Sequence, residues 1–466
     1  MFDTICKMIP TDRDYTARTR RLDIYRRVLE GRLYDILDFE FQDERNASGE
    51  YIPLRRRKPS VRYALCRIVV DDSVALLFSE AHFPSIITSD ASLTRIFADL
   101  ARETRLNQVM TEAALRGSIG SVAIIMRILK SRIVFNVLDT IYLQPSFDPL
   151  EPGTLVSVTE RYKVSGADLL TQGYPTSDPE VDYWFERKWD SIGEYWYLPY
   201  PTDQEASARQ LDLSRTTEHR LGFVPIVWIR NLPGGDTVDG SCTFKAAIDT
   251  SIEIDYQLSQ AGRGLKYSSD PTLIIKEPAS PDGDLIKSAG NALVVSEKGD
   301  AKLLEIGGTA ASAVIDYVKV LREFALESIH GNRADASRLT AATSGRAIEM
   351  MQQGLISLAD NLRVSYGEAG LIPLLRMVLL ASRKYRLRIG GEFHDSLPEE
   401  VQISLKWPGW YAATADDRMK DAQALATLAS SRQISQETAM KSIADLYNIH
   451  DIEAELSRIK CSPEEK

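Results

Sequence analysis

The feature that most constrains the fold is the apolar periodicity, which switches from helical to extended and back to helical along the chain. Before residue 115, several segments have apolar residues at helical spacing, as in Ser92–Leu115, a predicted single helix that Ser92 can cap. Gly117 and Gly120 interrupt this pattern, and short apolar runs separated by turn residues predict strands over about 117–230. Helical spacing returns beyond residue 242. The chain is therefore predicted to be α+β.

Two long helical segments follow the strands and enclose a small insert. The first, Thr243–Lys266, would be about 36 Å long at the rise of an α-helix. Its apolar residues form one narrow stripe, which is typical of a helix that packs lengthwise against neighbours. The members of this stripe are Ala247, Ser251, Ile254, Leu258, Ala261 and Leu265. The second segment, Ala310–His330, carries a similar stripe of Val314, Val318, Leu321, Ala325 and Ile329.

The insert between the two helices, Ser268–Ile306, is predicted to be a compact α/β element. Thr272–Lys276 is a predicted strand, and Asp282–Ala289 could hold a short helix. Ala292–Ser296 and Lys302–Ile306 are predicted to pair with each other around a hairpin turn at Glu297–Asp300.

Downstream of the second helix the pattern becomes polar and then helical again. Gly331–Ser344 is a predicted loop, and Gly345–Tyr385 a long helix that Pro373 should kink. Short strands are predicted at Leu387–Ile389 and Val401–Trp407. Thr414–Ile459 has the pattern of three helices joined by turns.

Composition narrows the function classes. The chain has 466 residues, 44% of them apolar, which suggests two to four domains. Its formal net charge is −10, which argues against a chain held on DNA by bulk electrostatics. The N-terminus, Met1–Asp14, lacks the apolar stretch of a signal peptide. The longest apolar runs, such as Ser121–Met126 and Leu371–Leu380, are too short or interrupted to span a bilayer, so no membrane partner is expected.

No motif for catalysis, for a cofactor or for a metal is present. The four cysteines lie far apart with no CxxC pair, which predicts reduced thiols rather than a zinc site or a disulfide scaffold. The chain has no GxxxxGK[ST], HExxH or GxSxG sequence. Asp71 and Asp72 could bind a metal with another carboxylate, as in a nuclease, or face solvent on a helix.

An arginine-rich amphipathic helix is predicted at Thr11–Tyr34. Its arginines either contact DNA or another subunit, or form a solvated face. They are Arg18, Arg20, Arg21, Arg26 and Arg27.

Several local motifs, in their order along residues 60–460, resemble those of portal proteins of tailed phages. Phe223–Val227 is similar to the strand that leads to the first stem helix of that family, and Asp270–Ile275 to its stem-to-clip passage. Ser344–Ile348 resembles the SG-x-A start of the helix after the tunnel loop. Gln433–Ala439, followed by Asp451–Ile459, resembles the crown.

The resemblance implies a portal-type architecture: a β-rich wing, two long stem helices flanking a small α/β clip, a kinked wing helix and a helical crown. The implied parts are an N-terminal arm or helix (1–60), a first part of the wing (61–240), a first stem helix (241–267), the clip (268–307), a second stem helix (308–330), the tunnel loop (331–344), a second part of the wing (345–412) and the crown (413–466).

The resemblance also implies a function without catalysis. Portal subunits form a closed ring, twelve-fold in the virion, at one capsid vertex after assembly in the host cytoplasm. Double-stranded DNA passes through the ring, which contacts the major capsid protein, the large terminase and the head–tail connector or adaptor. Such a chain needs no cofactor and no metal.

Specific residues follow from this resemblance. The implied DNA contacts in the tunnel loop are Asn332, Arg333, Ser337 and Arg338, although an ordinary solvated loop would look the same. Weaker candidates along the stem and clip are Lys266, Lys287 and Lys319. The stem stripes would pack between neighbouring subunits, or alternatively within the core of one subunit. Their members are Ala247, Ile254, Leu258, Leu265, Val314, Val318 and Leu321.

Two other function classes stay open on the sequence alone. One is another oligomeric structural protein of the virion, without a DNA tunnel. The other is a metal-dependent enzyme of nucleic-acid processing that uses Asp71 and Asp72.

Overall fold

The computed structural model describes residues 1–176, 178–203, 209–269, 272–278, 295–304, 309–331, 350, 352–398, 400–410, 415–444 and 452–461. The chain divides into two compact units. The first comprises Met1–Asn332 and Gly354–Pro408, and the second comprises Arg333–Gln353 and Gly409–Lys466.

The α-helices follow the chain in this order: α1 (Phe2–Met8), α2 (Ala17–Leu29), α3 (Leu65–Phe78), α4 (Ala91–Glu103), α5 (Leu106–Gly117), α6 (Gly166–Thr171), α7 (Ile248–Ser269), α8 (Thr309–Ser328), α9 (Gln353–Leu362), α10 (Ile372–Ser382), α11 (Ala415–Ser430), α12 (Gln436–Ala444) and α13 (Ile452–Cys461). A π-helical stretch, Arg363–Leu371, joins α9 to α10.

The strands are β1 (Ser85–Thr88), β2 (Ser121–Leu129), β3 (Arg132–Leu138), β4 (Leu143–Phe147), β5 (Leu155–Ser165), β6 (Asp182–Trp189), β7 (Gly193–Trp196), β8 (Tyr200–Pro201), β9 (Thr217–Glu218), β10 (Ile226–Arg230), β11 (Thr272–Pro278), β12 (Val295–Leu304), β13 (Leu387–Ile389), β14 (Glu392–His394) and β15 (Ile403–Lys406).

The core of the first unit lies on both faces of a three-stranded sheet with the order β10-β2-β3. One face packs against a second sheet, ordered β4-β5-β6-β7-β9, through a buried cluster that includes Ile125, Val158, Trp189 and Ile226. The other face is covered by α5 and by the π-helical stretch. Because β2 is covered on both faces, it has a continuous apolar run rather than the alternation of a half-buried strand.

Glycines allow the helices to approach this sheet closely. A Cβ atom at Gly370 would lie 2.7 Å from Cδ1 of Ile229, and one at Gly117 would overlap the hydroxyl of Tyr366. Tyr366 is fully buried and donates a hydrogen bond to Oδ1 of Asn231 at 3.0 Å. The close packing of α5 against the π-helical stretch therefore depends on the missing side chain at Gly117.

We expect Gly117→Ala to lower the free energy of unfolding by about 1–3 kcal/mol, because the added methyl group displaces a buried, hydrogen-bonded tyrosine. Urea unfolding followed by tryptophan fluorescence measures this loss. The matched control is Gly262→Ala within α7, where no atom lies within 4 Å of the added Cβ. The control should be neutral or stabilising by up to about 1 kcal/mol. Equal effects of the two substitutions would contradict the packing argument.

The single helix predicted for Ser92–Leu115 is wrong. Asp90, not Ser92, caps α4, and Arg105 adopts a left-handed conformation with φ 49° that separates α4 from α5. If α4 and α5 were one continuous helix, the buried residues of α5 would point about 140° away from those of α4. The break at Arg105 lets both helices bury their apolar residues, such as Phe97 and Met110.

The hairpin predicted around Glu297–Asp300 is also wrong. These residues lie within one continuous strand, β12, which pairs antiparallel with β11 in a register that places Thr272 opposite Leu304. Asp300 lies opposite Lys276 and Val295 lies opposite Pro278, with an irregularity in the register between these two pairs. The predicted turn is thus replaced by a bulge within one strand. The predicted helix Asp282–Ala289 lies outside the described residues.

A kink is predicted at Pro373, and the structure has a π-helical stretch that ends two residues before this proline. Proline has no N–H to donate to the preceding turn, which favours this local rearrangement. The helix is nevertheless continuous over Gln353–Ser382 and is long and apolar enough, by length and composition, to cross a membrane. The most apolar 18 residues of this helix are 56% buried inside the protein, as in a core helix.

Candidate functional site

The helices α7 and α8 pack against each other, and the paired strands β11 and β12 lie between them in the chain. α7 has 22 residues and follows a short 3₁₀ turn, Lys245–Ala247, and α8 has 20 residues. The chain thus has two long helices, one on either side of the segment that contains these strands.

The first half of α7 is anchored in the core by a buried carboxylate that the sequence analysis did not single out. Asp255 accepts a hydrogen bond from the Tyr34 hydroxyl at 2.8 Å and another from the Tyr63 backbone N–H at 2.7 Å. Burial raises the pKa of Asp255 above its ordinary value of 3.8, and the two hydrogen bonds lower the pKa by less than burial raises it. α7 is thereby fixed to the N-terminal 63 residues.

The raised pKa of Asp255 has a consequence for stability. The folded chain binds the proton of the Asp255 carboxyl more tightly than the unfolded chain does. The stabilisation from this proton is therefore complete below pH 3.8 and is lost as the pH rises through the folded-state pKa. Asp255→Asn cannot titrate. We therefore expect its free energy of unfolding, relative to wild type, to increase between about pH 4 and about pH 7 in urea titrations. Asp316→Asn, at an exposed aspartate of α8, is the control, and a pH-independent difference for Asp255→Asn would contradict the assignment.

The residues of the predicted α7 stripe differ in how deeply they are buried. Ala247 and Ile254 are fully buried within the chain itself, and Leu258 is half-buried. Leu265 is 48% exposed near the end of the helix. Packing within one subunit therefore accounts for the first two residues, and only the distal part of the stripe is open to another chain.

α8 has two apolar stripes, of which the sequence analysis found one. The inner stripe, Val314, Val318 and Leu321, is half-buried and continues into the buried Ala325 and Ile329. The outer stripe consists of Tyr317, Val320 and Phe324, which are 48%, 43% and 62% exposed. It lies about 100° around the helix from the inner stripe. Its spacing of three and four residues was a readable signal in the sequence, but aromatic and aliphatic residues at such spacing are also typical of a core.

The candidate DNA-contacting residues are only partly within the described chain. Lys266 lies exposed near the end of α7, and Lys319 is exposed on α8, where it forms an ion pair with Asp316 at 2.9 Å. Lys287, Asn332, Arg333, Ser337 and Arg338 lie outside the described residues.

The arginines of α2 form ion pairs and hydrogen bonds within the chain. Arg18 binds both carboxylate oxygens of Asp239, at 2.7 and 2.8 Å, and donates to the backbone oxygens of Thr140 and Leu143. Arg21 contacts Asp239 at 3.0 Å and Asp236 at 2.8 Å. These contacts attach α2 to the loop that follows β10 and to the start of β4.

The same interaction pattern holds for the other arginines of this helix. Arg26 contacts Asp23 and Asp139, Arg27 contacts Asp23, and Arg20 donates to the backbone oxygen of Cys6. The local sequence does not reveal the intramolecular role of this cluster, because the carboxylate partners of Arg18 and Arg21 lie more than 200 residues away.

Asp71 and Asp72 do not assemble a metal site in the described chain. Nε of Arg67 contacts both carboxylate oxygens of Asp71, at 2.8 and 2.9 Å. Among the described residues, no group of three or more histidine, cysteine, aspartate or glutamate side chains could hold a metal ion.

No protein-family model matches the chain, and no curated protein matches it. Among solved structures, it is similar to a chain of the "Virion of native gene transfer agent (GTA) particle", with 12% identity and a TM-score of 0.38, covering 82% of this chain and 89% of that one. It is also similar to a chain of the "Neck of empty GTA particle computed with C6 symmetry", with 12% identity, a TM-score of 0.39 and the same coverage. TM-scores this low do not establish a common fold.

Proposed function

We propose that this protein is a portal protein, the ring subunit through which double-stranded DNA enters and leaves the capsid of a tailed phage or phage-like particle. The observation that carries the proposal is the outer stripe on α8. A helix that pairs with α7 through one face also exposes Tyr317, Val320 and Phe324 along another. Contiguous exposed apolar side chains are typical of a surface that another chain covers.

A ring gives the outer stripe of α8 a contact surface on another subunit. In a closed cyclic assembly each subunit contacts its neighbours through two different patches, because the interface is heterologous. In the proposed ring, the inner stripe holds α8 on its own α7, and the outer stripe contacts the helix pair of the next subunit. Leu265, exposed near the end of α7, is the proposed counterpart in that neighbour.

The order of elements supports the same function. A sandwich of sheets is followed by α7, by the paired strands β11 and β12, by α8 and later by the helix Gln353–Ser382. This order matches the expected wing, stem, clip, stem and second part of the wing. In this proposal the strands β11 and β12 belong to the clip, which docks the terminase and later the head–tail connector. Residues 331–344 form the tunnel loop.

The negative net charge is more consistent with a conduit for DNA than with a protein that binds DNA tightly. Each subunit contributes a formal charge of −10, so a ring of identical subunits is acidic overall and does not hold the duplex by bulk electrostatics. We propose that the protein is a passive channel and docking platform without catalytic residues, located at the capsid vertex, where it also contacts the major capsid protein.

Electron microscopy of the purified full-length protein, with class averages viewed along the symmetry axis, tests the function. The expected result is closed rings with an axial channel wide enough for a DNA duplex. Closed assemblies without an axial channel would overturn the portal function in favour of another structural protein of the virion. Monomers at all protein concentrations, with and without its capsid protein, would overturn both.

A further inference from the structure

The strand β10 is an open edge of the central sheet. It pairs with β2 on one side, and no strand in the described part of the chain pairs with its other side. The Met126 N–H donates to the Pro225 oxygen, and the Asn231 N–H donates to the Gly120 oxygen. Because hydrogen bonding alternates along an antiparallel strand, the backbone groups of Trp228 and Arg230 point away from β2. They are available to a further strand.

A groove of about 940 Å³ runs along this open edge, entirely within the first unit. One wall is formed by the helix Gln353–Ser382, including Val364, Ala369 and Met377. The opposite wall is formed by the end of β4 and the start of β5, including Phe147 and Leu155. The groove thus continues the plane of the sheet between the two layers that cover it.

We propose that this groove binds an extended acidic–apolar peptide of a partner protein, which pairs with β10 as a fourth strand of the central sheet. The peptide would exchange hydrogen bonds with the backbone of Trp228 and Arg230, as in other complexes formed by strand addition. Its side chains would alternate between the helical wall and the wall formed by β4 and β5. Apolar, β-branched residues suit both walls.

The charges at the groove give the preference for an acidic peptide. Of the four charged residues that line it, Asp236 and Asp239 are already paired with Arg21 and Arg18. Arg230 lies over the ring of Phe147 at 5.6 Å, and Arg376 is exposed. Neither Arg230 nor Arg376 forms an ion pair with any residue in the described ranges. Two cationic side chains therefore stand beside an apolar groove on a protein whose net charge is negative.

The probe is a fluorescein-labelled synthetic peptide of alternating valine and threonine with a glutamate at each end, titrated with the full-length protein and followed by fluorescence anisotropy. We expect saturable binding that weakens with added salt. Arg376→Glu should weaken it by about tenfold or more, because it reverses an exposed charge beside the groove. Arg322→Glu on α8 is the matched control and should leave the affinity unchanged.

A second pair of variants tests strand addition itself. Arg230→Pro removes an outward N–H from the edge strand, whereas Arg230→Val removes the same charge and keeps the N–H. We expect the proline variant to bind at least about threefold more weakly than the valine variant. Circular dichroism establishes that both are folded, and Arg376→Glu tests the groove independently if the proline variant is not.

Absence of binding by wild type, equal affinity of the proline and valine variants, or equal affinity for a peptide with lysine at each end would overturn the proposal. Binding that is lost in Arg322→Glu as well would do the same, because it would place the peptide elsewhere. The inference goes beyond the proposed function and does not depend on ring formation.

Discussion

Arg18→Ala is expected to lower the free energy of unfolding by about 3–5 kcal/mol, because it leaves a buried carboxylate without its principal counter-charge. The Asp239 side chain is 2% exposed, and Arg18 supplies it with two hydrogen bonds. The loss should lie towards the lower end of that range, since Arg21 and the Ser121 hydroxyl still contact Asp239. Urea unfolding, with the slope checked against wild type, measures the change.

Arg21→Ala is the matched control for this prediction. Arg21 lies one helical turn from Arg18 and contacts the same carboxylate, but its side chain is 43% exposed. Exposed ion pairs contribute about 0–1 kcal/mol, so the control should lose little stability. A loss of less than 1 kcal/mol for Arg18→Ala, or equal losses for the two variants, would show that Asp239 is solvated and that α2 is not fixed by this pair.

If the chain forms the proposed ring, the double variant Tyr317→Asp and Phe324→Asp is expected to prevent its assembly. Full burial of an aromatic side chain contributes about 1.5–3 kcal/mol, and only about half of each ring is exposed in the subunit, so the loss of both weakens every contact of the proposed ring by about 1.5–3 kcal/mol. This corresponds to a factor of about 10–10² in the association constant of each contact, to which the cost of burying two carboxylates is added. Analytical ultracentrifugation should show monomers at concentrations at which wild type assembles.

The control for the outer stripe is Leu150→Asp with Leu213→Asp, which removes two equally apolar and even more exposed residues, 91% and 81% exposed, from other parts of the first unit. It should assemble as wild type does. Circular dichroism and thermal unfolding of the monomeric variant exclude misfolding as the cause. Rings formed by the double variant at wild-type concentrations would show that the outer stripe is not a subunit contact.

Elements encoded by local patterns were predictable from the sequence. The long helices α7 and α8 follow from apolar spacing within a few turns, and each lies close to its predicted range. The strand β10 lies within the region predicted to form strands. Errors arose where a partner distant in sequence decided the conformation. The residues Glu297–Asp300 contain a favourable turn sequence, yet the strand continues through them as an irregularity in its pairing with β11.

The same distinction applies to the candidate sites. The inner stripe of α8 was readable from spacing, but the exposure of the outer stripe depends on which face α7 covers. Periodicity indicates that residues share a face, but it does not indicate whether another element covers that face. The arginines of α2 illustrate the point for charge, because a basic helix has the same pattern whether water, DNA or a buried aspartate faces it.

The sequence by itself determined the succession of helical and extended segments, the negative net charge and the absence of catalytic motifs, because these depend on local spacing and composition. Only the tertiary structure decided that Arg18 meets Asp239, that Asp255 is buried, that Tyr317 and Phe324 are exposed, and that one edge of β10 is open. Each of these depends on contacts between segments far apart in the chain. Their free energies come from burial and pairing, which no local pattern records.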